Sequence, residues 1–373
     1  MAKPLKHLVG PKLVAHLGLY ISQVMPEFDT DSLAKSFSSH YLGLELMDRC
    51  LFIADCLHKH LPEDYPTAVN ILVRSLEPAH CSTTDVSQVS FLSLPLSLYV
   101  SKYGLDHFEE SMDAQYEITQ RFSAEFSIRA FIERYPTRCF ELFQLWVKDT
   151  NPHIRRLVSE GTRPRLPWAS RLRDLQADPT PIMALLESLK DDPELYVRRS
   201  VANNLNDIGK DHPQLVYQLL ASWQKDSNKN RDWVIGHAVR SAVKRCEPEA
   251  LALLGYADTT NIETSNSVIT PNHTHIGKSV KINTTLHNQG SSSKAVMVDF
   301  AVHYIKTNGN PRAKVFKWCQ IQLGASEHKA LSKKVNLSNL STRRHYAGSH
   351  RVDIIINGNW SYLGTFELGS AAE

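Results

Sequence analysis

The chain has 373 residues, 42% of them hydrophobic and 22% charged, with a formal net charge of +3. Such a length carries two or three cores, and the composition excludes a disordered or fibrous chain. No run of about eighteen uncharged apolar residues occurs, which excludes a membrane-spanning helix; the basic N-terminus is spaced like an amphipathic helix with no signal-peptide core or cleavage site, so a cytoplasmic protein is expected.

Residues 1–110 carry 8 Lys and Arg against 13 Asp and Glu and read as helices. Apolar residues recur at helical spacing at Leu13-Val14, Leu17, Tyr20-Ile21 and Val24, and again at Leu42, Leu44, Leu46-Met47, Leu51, Ile53 and Leu57, as one buried helix face requires. Pro62 and Pro66 are expected to break the second helix, and AVNILVRSL at 68–76 to open another. FLSLPLSLYVSKYGL at 91–105 is apolar with Pro95 inside it; without flanking turn pairs it predicts a buried, kinked helix and not a strand.

From about residue 111 the chain repeats itself. DTNPHIRRLVSEG at 149–161 has the shape of DDPELYVRRSVANNL at 191–205: a polar turn with a proline, then a β-branched residue, two arginines and a helix. The pairs Arg155-Arg156 and Arg198-Arg199 stand 43 residues apart, which suits a two-helix HEAT-like unit. FSAEFSIRAFIERY at 122–135 reads as an earlier copy and NRDWVIGHAVRSAVKR at 230–245 as a degenerate later one. Each copy offers apolar positions that only stacking on its neighbours can bury. The fold class expected for 1–256 is therefore an α solenoid of HEAT-like repeats, clearest over 111–256. Trp146, Trp223 and Trp233 lie in apolar helical patterns and read as core.

After Tyr256 the composition turns to Thr, Asn and Ser, so 257–270 is expected to be a linker or first loop. Beyond it the apolar period becomes two, in Val280, Ile282, Thr284 and Leu286, in Val296, Val298, Phe300, Val302 and Tyr304, and in Tyr346, Gly348, His350, Val352, Ile354 and Ile356. Turn signals in HNQGSSS, KTNGNPR and NGNW separate the runs. Residues 271–373 are thus expected to form a small all-β immunoglobulin-like sandwich, with Tyr346 placed to serve as a tyrosine corner.

Charge is distributed unevenly. Residues 121–173 carry 11 Lys and Arg against 5 acids, and 271–373 carry 13 against 5, two basic blocks of the kind a polyanion-binding chain shows. The six cysteines (Cys50, Cys56, Cys81, Cys139, Cys246 and Cys319) are scattered without a CxxC pair and read as reduced, mostly buried thiols. No nucleotide-binding loop, nucleophile elbow or HExxH motif is present, so neither a nucleotide cofactor nor a metal is expected.

The chemistry concentrates in 121–173 and its repeat. Glu125 lies among apolar residues on a predicted helix, Glu160 stands at a helix end before Gly161, and Asp207 falls in the last turn of its helix. A carboxylate at a helix C-terminus is disfavoured by the dipole, which points to a role other than helix stability. Corresponding helices of a curved solenoid line one surface, so the three can converge; the competing reading pairs each with an arginine of its own or the next repeat. One arginine of each pair is expected to be structural and the other free for phosphate. Trp168, in a loop after Pro167, is available to contact a base or sugar.

These segments carry a resemblance. LELMDRCLFIADCLHKHLPEDYP, EFSIRAFI, WVKDTNPHIRRLVSEGTRPRLPWA and DDPELYVRRSVANNLNDIGKDHP resemble DNA alkylation repair proteins of the AlkC/AlkD type, specifically the AlkC branch, over nearly all of 1–256. SEGTRPRLPWA is the most specific piece, and the β-domain resembles the immunoglobulin-like extension of a subset of that branch. The resemblance implies a DNA glycosylase that excises N3- and N1-alkylated bases (3-methyladenine, 3-methylcytosine, 1-methyladenine) from duplex DNA without flipping them; action as a monomer is the simplest expectation. It makes Glu125, Glu160 and Asp207 the catalytic candidates. Trp168, Arg121, Arg155, Arg156, Arg163, Arg165, Arg198 and Arg199 become the candidates for holding DNA and lesion. The alternatives are a HEAT-repeat scaffold or a non-catalytic module that binds damaged DNA.

Overall fold

In a computed structural model, the structure describes residues 4–370 apart from 39, 77–85, 122, 227, 257–260 and 341–342. After a short 3-10 turn, helices α1 (Pro11–Val24), α2 (Thr30–Ser38), α3 (Leu46–His60), α4 (Tyr65–Arg74) and α5 (Val86–Tyr103) form the N-terminal region. The apolar stripe of α1 is buried as its spacing predicts, at Leu13, Val14, Leu17 and Ile21. Pro66 does not end a helix as expected: it sits in the first turn of α4, where its missing N–H costs nothing. Asp64 caps that helix, accepting from Thr67 N at 3.0 Å. Pro95 lies within α5, which is a single helix.

The repeats follow as α6 (Phe108–Thr119), α7 (Ile128–Arg134), α8 (Pro136–Trp146), α9 (Pro152–Gly161), α10 (Arg173–Ala177), α11 (Thr180–Leu189), α12 (Leu195–Ile208), α13 (Pro213–Gln224), α14 (Lys229–Ala238), α15 (Arg240–Lys244) and α16 (Pro248–Leu253). In α9 the repeated turn works through Asn151, which accepts from His153 N at 2.9 Å, with Pro152 in the first turn. Helix α12 packs on α9 and on α14. Its seam with α9 is polar and buried: Ser159 donates to Ser200 at 2.6 Å, and Asn204, fully buried, donates to Ser159 O at 2.8 Å. Trp146 and Trp223 are core, but Trp233 is 36% exposed and stacks on His237 at 4.8 Å. The two lie one helical turn apart on the same face of α14.

The second fold is a sandwich of β1 (Ile262–Thr270), β2 (His273–His275), β3 (Ser279–Asn288), β4 (Lys294–Ile305), β5 (Pro311–Leu323), β6 (His328–Asn336), β7 (Gly348–Ile356) and β8 (Asn359–Gly369). One sheet runs β1-β3-β6 and the other β2-β8-β7-β4-β5. The predicted alternation supplies the core: Val280, Ile282 and Leu286 from one sheet meet Val298, Phe300, Val302, Val352 and Ile354 from the other.

Three expectations are corrected here. The segment 257–270 is not all linker, because from Ile262 it pairs antiparallel with β3 as a strand; its Thr and Ser residues suit a half-exposed strand as well as a loop. The helices end at Leu253 and the strands begin at Ile262, but the packing does not divide there. The chain forms two compact units, 1–213 with 227–238, and 214–226 with 239–373, so the last helices group with the sandwich. Gly358, at φ +86° in the β7–β8 turn, lies against Leu251 and Cys246, where a Cβ would meet Leu251 Cδ1 at 2.7 Å. Tyr346 does not form a tyrosine corner among the described residues: its hydroxyl accepts from the Thr307 side chain at 3.0 Å and bonds no upstream backbone group there.

Among the described residues no helix is long and apolar enough to cross a membrane, and no group of three His, Cys, Asp or Glu is placed to hold a metal. Cys50, Cys56 and Cys139 are free and buried, Cys246 and Cys319 free and partly buried; Cys81 lies outside the described residues.

His345 is expected to make the sandwich acid-sensitive. It is buried against Tyr304, and among the described residues neither ring nitrogen has a hydrogen-bond partner of ordinary geometry, the Ser338 backbone only weakly favouring the charged ring. Burial, followed by the charge of Arg343 and the nearby His350 and Lys306, holds its pKa below the ordinary 6.5. The unfolded chain therefore takes up this proton first as pH falls. The residue's contribution to stability is complete above its unfolded pKa and is lost as pH drops through the lower folded value. Thermal melts of the full chain from about pH 8 to about pH 5 are expected to show this loss, and His345→Phe to flatten it. An identical pH slope in the variant would reject the assignment.

Candidate active site

Helix α9 ends at Gly161, where it passes close to α7. A Cβ on Gly161 would lie 2.5 Å from Ile128 Cγ2, and no branched side chain fits that gap. Gly161→Ala is expected to cost about 1–3 kcal/mol through overpacking. Urea unfolding of Gly161→Ala and of Gly161→Ala/Ile128→Ala checks this, since the second change should recover part of the loss.

The tight passage places Glu160 in the last turn of α9, 6% exposed. Its Oε1 accepts from Arg163 Nη1 at 2.7 Å and its Oε2 from Ser200 Oγ of α12 at 2.5 Å. Arg163 in turn reaches Asp207, near the end of α12, through Nε and Nη2, both 2.8 Å from Oδ2. Lys210 Nζ takes the other oxygen of Asp207 at 2.7 Å. On the opposite side of Glu160, Arg156 Nη2 approaches Oε1 at 3.7 Å, and Nη1 donates to Glu125 Oε2 at 2.7 Å. The three predicted carboxylates are therefore brought together as one chain, Glu125–Arg156–Glu160–Arg163–Asp207. Burial works against both guanidinium charges, but the facing carboxylates outweigh it and raise Arg156 and Arg163 above the ordinary arginine value.

The three acids differ in what they can offer. Asp207 is 1% exposed and both its oxygens are engaged, as are those of Glu160. Glu125 sits not on a helix, as predicted, but in the turn before α7. Ala124 O there accepts from Ile128 N at 3.1 Å and from Ser127 Oγ at 3.0 Å, which starts the helix only after the glutamate. Its Oε2 accepts from Ser123 Oγ and Arg156, and its Oε1 accepts nothing among the described residues. Glu125 and Glu160 line a cleft of about 240 Å³ with Arg163, Trp168 and an apolar wall that includes Leu46, Met47, Leu94 and Phe126. Trp168 is 71% exposed and has φ +65°, a conformation bulky L-residues avoid.

Arg155 and Arg198 are fastened elsewhere. Arg155 forms a bidentate pair with Asp192 at 2.5 and 3.0 Å, 37 residues on. Arg198 is buried, donating to Asp192 O and Pro193 O and reaching Asn230 at 3.2 Å. These are the repeat-to-repeat links expected of one arginine in each pair. Their neighbours differ: Arg199 is exposed, whereas Arg156 is held by Glu125 and stacked over the Tyr196 ring at 4.8 Å. Arg165 grips Asp211 through two bonds of 2.8 and 2.6 Å, and Arg121 bonds Glu117. Of the predicted DNA-holding residues, Trp168 and Arg199 are exposed.

Sequence reasoning missed Arg129, Ser200 and the apolar wall. Arg129, alone among apolar neighbours in SIRAFI, carried a signal, since a lone charge in an apolar helix is a buried one; the wall residues read as ordinary core.

The chain superimposes on the alkylpurine DNA glycosylase AlkC of Pseudomonas fluorescens, solved bound to DNA containing an abasic site analog, with a TM-score of 0.88 and 36% identity over 98% of this chain and 100% of that one. The chain belongs to the AlkC family. The fold is AlkC-like, with HEAT-like helices followed by a C-terminal immunoglobulin-like domain. The uncharacterized protein YhaZ of Bacillus subtilis (strain 168) is 33% identical over 355 residues, 95% of this chain and 96% of that protein. A family model described as the C-terminal Ig-like domain of the uncharacterised protein YhaZ matches residues 263–370, which take in β1 from its second residue and so agree with a sandwich that begins before residue 271.

Proposed function

We propose that this AlkC-family chain is a DNA glycosylase that releases cationic N3- and N1-alkylated bases from duplex DNA. One observation carries the reading: Glu125, with an unengaged carboxylate oxygen, lines a cleft beside the exposed Trp168 and is backed by a buried chain of two arginines and two further acids. A purely structural acid is tied on both oxygens, as Asp192 is by Arg155, whereas Glu125 keeps one oxygen unengaged among the described residues and lines the cleft, as cleavage of a glycosidic bond needs.

The chemistry follows from those groups. Alkylation at N3 or N1 makes the base cationic, so when the C1′–N bond breaks, its electron pair neutralises the departing base and no acid is required. The sugar left behind is oxocarbenium-like, and a carboxylate facing it stabilises the positive charge. Water then adds to C1′, and Glu125 accepts its proton. Arg156 and Ser123 hold the other oxygen of Glu125 and so fix the open edge. Glu160 and Asp207 act behind it, the first at the cleft and the second as the buried anchor of Arg163. The cleft, at about 240 Å³, is apolar along one wall, which suits contact with a lesion that stays in the stack beside Trp168. Arg199 is the cation of the paired motifs available for phosphate. This reading places the protein beside DNA in the cytoplasm, acting as a monomer on its duplex.

Incubating the purified chain with methylated duplex DNA is expected to release 3-methyladenine, with 3-methylcytosine and 1-methyladenine as further substrates, measured by chromatography of free bases. No release where a control glycosylase works on the same DNA rejects the enzyme reading.

A further inference from the structure

The loop that carries Trp168 leaves α9 at Gly161 and re-enters regular structure at α10, and it has no β-sheet or long helix of its own to hold it. Arg129, on α7, is 3% exposed beneath it. Its Nη1 donates to Gly161 O at 3.1 Å and Arg163 O at 2.8 Å, and its Nη2 to Ser170 O at 2.5 Å. The three carbonyls bracket the loop: one closes the C-terminus of α9, one belongs to the residue that joins Glu160 to Asp207, and one lies two residues beyond Trp168. Among the described residues no carboxylate lies within ion-pair distance of this guanidinium, and its Nε is buried without a hydrogen-bond partner. A cation so placed is costly to bury, and what its position secures is the path of the loop. From outside, Arg165 ties the middle of the same loop to Asp211.

We propose that Arg129 is a positioning residue for base release: its guanidinium clips residues 161–170 so that Trp168 and Arg163 stand in their substrate-ready places before DNA arrives. A left-handed tryptophan at φ +65° persists only where its surroundings over-determine the backbone. Arg129 fixes the backbone on both sides of Trp168, leaving the indole to be presented at the cleft. A lysine keeps the charge but replaces the planar fork by a single ammonium, which cannot hold three carbonyls in that geometry. The functional part of this inference rests on the glycosylase reading; the clip itself does not.

The test uses Arg129→Lys in the full chain, with Arg129→Gln as a second variant. Hydrogen exchange of the 162–170 amides is expected to quicken about tenfold or more, the scale of one lost charge-assisted hydrogen bond, while the amides of α8 and α12 keep their protection. In single-turnover base release, Arg129→Lys and Trp168→Ala are each expected to lose about tenfold, and the double variant little more than either alone, since both act through one loop. Losses that multiply in the double variant overturn the proposal, because Arg129 would then act independently of Trp168. So does unchanged exchange of 162–170, or failure of both Arg129 variants to fold, which would make the residue part of the core. If the wild-type chain releases no base, the glycosylase reading fails, and the exchange measurement still decides the clip.

Discussion

Glu125→Gln is expected to slow single-turnover base release by about 10²–10³-fold, the loss seen when one preorganised electrostatic partner of a transition state is removed. Affinity for duplex DNA carrying an abasic analog is expected to stay within a few-fold, because the exchanged oxygen faces the cleft and the other still accepts. Glutamine retains an oxygen for Ser123 and Arg156 and loses only the charge. Arg156 keeps Glu160 at 3.7 Å and the Tyr196 ring at 4.8 Å, so the variant should lose no more than about 1–2 kcal/mol in unfolding. The signature is thus a large kinetic loss on a nearly unchanged fold. If Glu125→Gln retained most of its activity, the open oxygen would be incidental and Glu160 would be the group facing the sugar.

How much of this was readable beforehand differs from residue to residue. The repeats were legible because HEAT-like units restate their turn: Asn151-Pro152 and Asp192-Pro193 with the arginine pairs behind them mark both starts, and the Arg155–Asp192 link is the physical reason for the motif. The sandwich was legible at its buried strands, β3, β4 and β7, where one face is apolar and the period of two survives. At β1 it was not. That strand is exposed along most of its length and so carries no apolar alternation to read, only Thr, Asn and Ser that suit strand or loop alike.

The site shows the same division. Glu160 and Asp207 were placed correctly at their helix ends, since Gly161 and the run NNLNDIGK mark where those helices stop. Glu125 was put on a helix because EFSIRAFI is apolar enough to be one; the helix starts only at Ile128, after Ser127 has bonded Ala124 O. Burial separated the arginines, and outside the apolar run around Arg129 no local pattern marks it, because many of their partners lie more than 30 positions away. Thus Arg163 looked like a surface base and lies between two acids, while Arg129 drew no notice and sits deepest. The division of the chain was likewise hidden: α15 and α16 look like more of the same solenoid, and only their grouping with the sandwich distinguishes them.

Asp207→Asn should show the opposite signature to Glu125→Gln, losing stability and activity together. Asp207 is 1% exposed, and its carboxylate neutralises Arg163 on one oxygen and Lys210 on the other. Lys210, about a third exposed on its side chain, can turn to water, but Arg163, at 9%, cannot. The amide therefore leaves a buried guanidinium facing Glu160 alone and presents an N–H₂ where an acceptor is needed. Removing one partner of a buried pair costs about 3–5 kcal/mol, and denaturant midpoints should fall accordingly with an unchanged m-value. Release should fall as well, because Arg163 freed from Asp207 no longer fixes Glu160 at the cleft. A double-mutant cycle with Arg163→Gln separates this account from simple loss of a reacting group. If Asp207 works by anchoring Arg163, the double variant should be more stable than the sum of the single losses predicts, by about 1–3 kcal/mol, since neither charge is then left without the other. A coupling near zero, or an Asp207→Asn protein of wild-type stability that no longer releases base, would move Asp207 out of the supporting frame and into contact with the substrate.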